Sequence, residues 1–339
     1  SGDSYTPTAA KTLYAHWSAN AITVKFSGNG ATGGATADQQ FTYDSAQALR
    51  ANGFTRAYTV TYNGNFSGKT PTLGATSQTA TYTFKNWNNT AAGNGSYTYT
   101  NGQTVTNPNG ATSGTTYLYA QWNSASVKFP TATLPGYTFL GWYDAATGGN
   151  KIGDAGDSYT PTAAKTLYAH WNVNTNTAYK VNVYVMNTSG GYPTTPTTHS
   201  YTGTTDTSVT IDQSRYYPDK SGQFSLDSDK SNVLTGTIEG DGSLVLVVYI
   251  KRASHTVTYD SATNGGSTAT QTRTVYYQGA VDFTLKAEKS DWTFIGWNTD
   301  KNATEKLDSL TMGTSNITLY AIFSKTVTVH FYSGSKGAV

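Results

Sequence analysis

One stretch of sixteen residues, GDSYTPTAAKTLYAHW, occurs twice in this chain without a single change, at 2–17 and at 156–171. Its ending returns in weaker form as TYLYAQW at 116–122 and as TLYAIF at 318–323. Such self-similarity is the signature of repeat proteins, in which each copy is one supersecondary unit. The chain of 339 residues is therefore expected to fold as a series of small, related modules.

Two further motifs recur in a constant order around this ending. One contains a tryptophan, and it reads YTFKNW at 82–87, YTFLGW at 137–142 and WTFIGW at 292–297. The other opens the units, and it reads ITVKF at 22–26, SVKFP at 126–130, HTVTYD at 255–260 and KTVTVHFY at 325–332. This order predicts modules made of an opening strand, a tryptophan-containing strand and a closing strand.

Hydrophobicity alternates along each motif, as it does in a strand with one buried face. In the first TLYAHW, Leu13, Ala15 and Trp17 share the face expected to be buried, while Tyr14 and His16 share the other. The Thr and Tyr content also favours strands over helices. Core packing is the preferred role of the tryptophans at motif ends, which are Trp17, Trp87, Trp122, Trp142, Trp171 and Trp297. A contact with a neighbouring module or a ligand is left open for the outward tyrosines, which are Tyr14, Tyr119, Tyr168 and Tyr320.

In this combination the motifs resemble the Listeria–Bacteroides repeat, the module of the internalin B repeats. The segment 126–171, with PGYTFLGWYDAATGGNKIGD followed by TLYAHW, matches best, and the resemblance covers most of 18–171 and 253–323. It implies a small β-grasp-like fold that occurs in tandem in bacterial surface proteins. The fold expected is mainly β, with tandem β-grasp-like modules arranged as an extended rod, because the connections at 122–127 and 171–179 are short.

Six segments follow from the positions of the motifs. The segment 18–122 is a long module with an inserted hairpin at 58–84, although 57–122 could also be a module on its own. The segment 123–171 is so short that we expect it to depend on its neighbours. The others are a closing segment of a preceding repeat at 1–17, a module at 172–252 that resembles mucin-binding-protein modules, a repeat module at 253–323, and the opening strand of a following repeat at 324–339. The end segments indicate that this chain is part of a longer array of repeats.

Composition excludes several classes of function. The net charge is +2 without a basic cluster, so nucleic acid is not an expected partner. No apolar run approaches the roughly 20 residues that span a bilayer. Cysteine is absent, which excludes disulfides and thiolate metal sites.

No catalytic, cofactor-binding or metal-binding residue is predicted, and the ligand-binding residues are unknown. DSDKSN at 227–232 lacks the spacing of a calcium loop, so a solvated turn is preferred. His16 and His170 are equivalent outward positions, and one histidine per module cannot supply the ligands that zinc requires. Hydrolase motifs are missing, and no enzyme activity or cofactor is expected.

The preferred function is a stalk or adhesive fibre in an exported protein of a Gram-positive bacterium, at the cell surface or in the cell wall. Its partners would be the neighbouring repeats of the same chain. One alternative is a module that binds glycans, mucin or a host protein. Another is a head-to-tail filament in which the terminal strands of different copies pair.

Overall fold

The computed structural model describes residues 2–331 and 334, and its regular secondary structure is almost entirely β-strand. The chain divides into two compact units, Ser1–Asn172 and Val173–Val339. Strands that begin in the first unit are β1 (Ala21–Ser27), β2 (Gly33–Gly34), β3 (Gln39–Thr42), β4 (Gln47–Ala48), β5 (Phe54–Asn63), β6 (Thr72–Leu73), β7 (Ser77–Tyr82), β8 (Phe84–Asn88), β9 (Thr98–Tyr99), β10 (Thr104–Val105), β11 (Gly114–Trp122), β12 (Val127–Lys128), β13 (Ala132–Thr133), β14 (Tyr137–Tyr143), β15 (Lys151–Gly153), β16 (Ser158–Tyr159) and β17 (Lys165–Val173).

The second unit contains fewer and mostly longer strands. They are β18 (Thr177–Val185), β19 (Thr197–Gly203), β20 (Ser208–Thr210), β21 (Phe224–Leu226), β22 (Thr235–Thr237), β23 (Val245–Arg252), β24 (Ser254–Asp260), β25 (Gln271–Tyr276), β26 (Thr293–Asn298) and β27 (Ile317–Ser324). The helices of the described residues are three short 3₁₀ turns, at Pro108–Gly110, Gln213–Tyr216 and Ala262–Asn264.

Four sheets share one strand order. Sheet 1 is β3-β1-β11-β8-β9, sheet 2 is β15-β14-β17-β5 with β7 and β2 also paired to β5, sheet 3 is β19-β18-β23-β21, and sheet 4 is β25-β24-β27-β26. In each sheet an opening strand forms a parallel pair with the closing strand and an antiparallel pair with a later strand of its own hairpin, which is β3, β7, β19 or β25. Sheet 3 has this order although 172–252 lacks the sequence motifs.

The alternating pattern of the motifs produces one buried face in each sheet. Leu167 and Ala169 of the closing strand β17 are fully buried, as are Leu319 and Ala321 of β27. The tryptophan-containing strands bury Trp87, Trp142 and Trp297, which are at most 2% exposed. Trp122 and Trp171, at the ends of closing strands, are half-buried against the same cores. Burial of a large ring contributes much of the apolar area in so small a module.

Sheets 1 and 2 are built from interleaved segments of the chain. Sheet 1 takes its opening hairpin from 21–42 and its remaining strands from 84–122, whereas sheet 2 takes them from 54–82 and 137–173. The hairpin that was expected to be an insertion in 18–122 therefore belongs elsewhere, since β5 pairs with β17 from Lys165↔Val60 to Tyr168↔Asn63.

A proline explains why the segment 123–171 uses this distant hairpin. Its own opening motif, SVKFP, forms only the two-residue strand β12, which pairs with β16 in a separate two-stranded sheet. Pro130 has no N–H to donate, so this run cannot continue as a central strand. The ten-residue strand β5 takes the central position.

Sheets 3 and 4 follow one another directly within the second unit, with only Ala253 between β23 and β24. Arg252 bridges them, because its Nε donates to the Met186 carbonyl at 2.6 Å and its Nη1 donates to Gln278 Oε1 at 2.6 Å. The ring of Tyr277 packs edge-on against Phe224, with centroids 5.9 Å apart. These contacts fix the joint between the two sheets.

The first copy of the sixteen-residue stretch differs from the second. Residues 2–20 form no strand, and Leu13 and Trp17 are 69% and 92% exposed, so the expected burial of Leu13, Ala15 and Trp17 is wrong. No opening strand lies beside this copy within the described residues, and a strand without a partner cannot bury one face. Residues 325–331 of the expected last opening strand also form no strand, and most of 332–339 lies outside the described residues.

Candidate functional site

An asparagine side chain closes the end of the parallel pair in sheets 1, 2 and 4. Its Nδ2 donates to two backbone carbonyls, one after the tryptophan-containing strand and one in the closing strand. The three asparagine bridges are Asn29 with Ala91 and Ala120, Asn65 with Ala146 and Ala169, and Asn264 with Lys301 and Ala321, at 2.8–3.0 Å. Each bridge therefore fixes the loop after the opening strand to the closing strand and to the loop after the tryptophan-containing strand.

The backbone that places these asparagines is not the same in all three. Asn29 and Asn65 have φ angles of 46° and 49°, in the left-handed region that asparagine tolerates better than most residues. Asn264 instead ends a 3₁₀ turn that Gly265, with φ of 75°, terminates. The same kind of side-chain bridge therefore forms from two different loop conformations.

A tryptophan covers the bridge in two of the three sheets. The indole Nε1 of Trp122 donates to the Gly28 carbonyl at 3.1 Å, and that of Trp171 donates to the Gly64 carbonyl at 2.9 Å. Phe323 occupies the corresponding position in sheet 4 and has no N–H to donate. The loop after β24 is therefore not held by a closing-strand indole.

A cleft of about 500 Å³ lies at this end of sheet 4, with Asn264, Lys289, Trp292, Phe323 and Lys325 among its lining residues. The Lys289 ammonium donates to the Asn264 carbonyl at 2.8 Å and lies 4.3 Å from the ring centroid of Trp292. Trp292 is 41% exposed. An exposed indole beside a positioned cation is an arrangement that recognises polar ligands with an apolar face.

The corresponding end of sheet 2 also carries a cleft. Its cleft is smaller, about 320 Å³, and is lined by Phe66, Leu140, His170 and Trp171 among others. Tyr137, the equivalent of Trp292, is half-buried with its ring centroid 4.7 Å from that of Phe66. Of these two clefts, that of sheet 4 has the more exposed indole, since Trp171 in the other is half-buried.

His170 was expected to face outward, and the structure shows it half-buried at the edge of the sheet 2 cleft. Its ring stacks on Tyr143 with centroids 3.9 Å apart, and its Nε2 lies 2.9 Å from the Ala145 carbonyl. His16, its equivalent, is exposed on the unpaired N-terminal segment. The structure does not bring the two histidines together in one sheet.

The segment 227–232 forms a structured turn. Asp227 is 5% exposed, and the hydroxyl of Tyr192 donates to its carboxylate at 2.7 Å, which lowers the pKa of Asp227. Burial, followed by this same hydrogen bond, raises the pKa of Tyr192. Among residues 2–331 and 334, no group of three or more His, Asp or Glu side chains could hold a metal ion.

Lys289, Trp292 and the asparagine bridges were not identified from the sequence. A signal existed for the bridges, because each asparagine follows an opening motif and adjoins a glycine, in SGNG, NGN and TNGG. The signal for Trp292 is the replacement of the first tyrosine of YTF by tryptophan. Neither signal shows by itself that the loop and the indole line one cleft.

The comparisons with known proteins identify two segments. The model of the Listeria-Bacteroides repeat domain matches residues 106–170 and 255–322, and these segments are Listeria–Bacteroides repeat domains, which are repeats of bacterial surface proteins. The matched family is a repeat domain and not a catalytic family. The resemblance of 172–252 to mucin-binding-protein modules stays a prediction.

Two curated relatives are similar over part of their length. The chain is 53% identical over 53 residues to internalin H of Listeria monocytogenes, which covers 15% of this chain and 10% of that protein. It is 26% identical over 274 residues to a protein of Evansella cellulosilytica named as a Gly-rich membrane protein, covering 71% of this chain and 30% of that one. The chain thus spans less than a third of either relative.

A solved structure of the Bacillus anthracis TIE protein covers 85% of this chain and 52% of its own, at 9% identity and a TM-score of 0.27. A likeness at that TM-score carries no argument about the fold. Within the described residues, no helix has the length and apolar character needed to cross a membrane.

Proposed function

We propose that this chain forms part of the stalk or adhesive fibre of an exported bacterial surface protein, and that its modules are β-grasp-like. The observation that carries the proposal is the shared strand order of the four sheets, in which each opening strand lies between its hairpin partner and a parallel closing strand. Repeated modules whose cores are filled by their own aromatic residues suit a spacer better than an enzyme.

The extended rod expected from the sequence is part of this proposal. The one-residue connection between β23 and β24 and the bridge made by Arg252 support limited bending at that joint. Small-angle X-ray scattering of the whole chain tests the rod. An elongated profile with one well-defined maximum dimension is expected, and a compact or widely heterogeneous profile would contradict it.

A second candidate is a module that binds a glycan, and the cleft of sheet 4 favours it. Trp292 offers a half-exposed indole that a sugar ring could stack on, and Lys289 and Asn264 offer polar groups beside it. A glycan array with the whole chain tests this candidate. Signals should disappear in Trp292→Ala and persist in Trp17→Ala, since Trp17 is exposed and lines neither the sheet 2 cleft nor the sheet 4 cleft. Uniform silence of the unchanged chain would reject it.

Head-to-tail pairing of copies is a third candidate, supported by the exposure of Leu13, Trp17 and Phe331 on unpaired segments. The two segments offer a closing and an opening strand but no tryptophan-containing strand, so a composite sheet would lack the ring that fills the other cores. Sedimentation over a range of concentrations tests it. A species heavier than the monomer that vanishes when 2–17 is deleted is expected, and a monomer at all concentrations would reject it.

A further inference from the structure

The chain enters and leaves the parallel pair of sheet 4 at opposite ends. Opening strand β24 and closing strand β27 run side by side in one direction, from Val257↔Ile317 to Asp260↔Tyr320. Residue 254 therefore lies at one end of the pair and residue 324 at the other. Tension applied along the chain pulls the two strands past each other, in shear, and does not peel them apart.

Shear loads the hydrogen bonds of the pair together, whereas peeling loads them one after another. In sheet 4 these bonds lie over a dry core, because Val257, Tyr259, Leu319 and Ala321 are at most 2% exposed. Water therefore cannot readily replace the stretched bonds. The pair resists sliding as one cooperative element.

The asparagine bridge extends this element beyond the last strand pair. Asn264 donates to the carbonyl of Ala321, the residue immediately after Tyr320, and also to that of Lys301. Sliding of β27 along β24 must break this bridge together with the backbone bonds. Asn29 and Asn65 make the same connection in sheets 1 and 2.

We propose that the parallel pair with its asparagine bridge is a mechanical clamp, and that these repeats bear tension along the chain. This goes beyond the proposed stalk, since a spacer can separate two points without resisting force. Sheets 1, 2 and 4 have both the parallel pair and the bridge, so each of these would act as a clamp, and sheet 3 shares the parallel pair.

Interleaving changes how much chain each clamp releases. The loop that the sheet 1 clamp closes, from β1 to β11, overlaps the loop that the sheet 2 clamp closes, from β5 to β17. If the sheet 2 clamp opens first, the intact sheet 1 clamp still retains the hairpin at 54–82. About 50 residues would then extend, and roughly 100 more would extend when sheet 1 opens. Opening of sheet 4 would release about 70 residues. Each extended residue adds close to about 3.5 Å to the length of the chain.

The absence of cysteine allows force to be applied at chosen points of the whole chain. The shear variant carries Ser254→Cys and Ser324→Cys, and the matched peeling variant carries Ser254→Cys and Ser315→Cys. All three serines are exposed, and residues 254 and 315 lie at the same end of the parallel pair. Each variant is stretched between DNA handles in an optical trap.

The unfolding force at one loading rate should be severalfold higher in shear than in peeling, and Asn264→Ala should lower it in shear more than in peeling. Equal unfolding forces in the shear variant and the peeling variant would contradict the proposed clamp. Unchanged thermal unfolding of both cysteine variants shows that they fold alike. The scattering test of the stalk measures shape and not force, so the two proposals can fail separately.

Discussion

The module at 254–324 and the two modules within 21–173 reach the same sheet by different chain paths. Sheet 4 is assembled from consecutive segments, whereas sheets 1 and 2 exchange halves, so that two opening hairpins precede two sets of closing strands. The strand order is nevertheless identical. The motifs therefore specify which kind of strand lies beside which, while the choice among copies of one motif is made by the rest of the chain.

The rest of the chain makes that choice through strand length. Consecutive strands usually pair, and a contiguous module at 57–122 would obey that tendency. It would leave the hairpin at 21–42 without closing strands and the strands at 137–173 with the two-residue β12 as their opening strand. Interleaving completes both sheets, and it buries Val60 and Tyr62 against Trp142.

The largest effect expected to separate the two regions comes from the core tryptophans. Trp142→Ala and Trp297→Ala should each cost about 3–5 kcal/mol of local stability through lost burial and a cavity. Trp142→Ala should raise hydrogen exchange in 84–122 as well as in 137–171, because Trp122 packs against the cores of both sheets.

Trp297→Ala is the matched control, and it should leave exchange throughout 21–122 unchanged. Hydrogen–deuterium exchange with mass spectrometry of the whole chain measures both variants. If Trp142→Ala raised hydrogen exchange only in 137–171, the stability of sheet 1 would not depend on that of sheet 2. Interleaving would then contribute no energetic coupling between the two sheets.

A smaller difference is expected between two asparagine bridges. Asn65→Ala and Asn264→Ala each remove hydrogen bonds to two carbonyls, at a cost of about 1–3 kcal/mol. Asn65 is also in the left-handed region, with φ of 49°, where alanine costs roughly 1–2 kcal/mol more. The local free energy of opening, measured by native-state hydrogen exchange in β17 and β27, should therefore fall further in Asn65→Ala.

Glycine at the same positions separates the two causes. Asn65→Gly relieves the backbone strain but still removes the hydrogen bonds. The losses in local free energy of opening caused by Asn65→Gly and Asn264→Gly should therefore differ less than those caused by the two alanine variants. An equal loss of local opening free energy in Asn65→Ala and Asn264→Ala would mean that the left-handed backbone of residue 65 adds nothing to the cost of the substitution.

The smallest effect concerns the indole that sheet 4 lacks. Trp171→Phe removes the hydrogen bond to the Gly64 carbonyl and makes the position like Phe323, at a cost of about 1 kcal/mol. Trp17→Phe changes the identical sequence where Trp17 is 92% exposed, and it should cost nothing measurable. Denaturant unfolding of both variants measures the difference, and a loss in Trp17→Phe would show that the first copy is folded after all.

The two identical copies show how far the sequence determines the structure. Alternation places Leu167 and Ala169 on the buried face of β17 correctly, and the tryptophan-containing strands bury Trp87, Trp142 and Trp297 as expected. The same residues at 12–17 form no strand, because burial requires an opening strand beside them. Local pattern predicts a face, and only the partner strand decides whether that face is buried.

The chain path and the cleft could not be predicted for related reasons. ITVKF at 22–26 and YTVTY at 58–62 are nearly equivalent opening strands, and no local property of either selects TYLYAQW or TLYAHW as its partner. The cleft of sheet 4 brings Asn264 together with Lys289 and Trp292, which lie well beyond it in the sequence, and the three meet only when the sheet forms.

Crosslinking between chosen strands tests the interleaving most directly. Thr61 in β5 is paired with Thr166 in β17, and adjacent strands lie about 4.8 Å apart, within reach of a disulfide. Tyr117 is the equivalent residue in β11, which lies in sheet 1. The cysteine-free chain with Thr61→Cys and Thr166→Cys should crosslink on mild oxidation, as read by peptide mass spectrometry, whereas Thr61→Cys with Tyr117→Cys should not. Crosslinking of 61 to 117 but not of 61 to 166 would show a contiguous module and contradict the interleaved pairing.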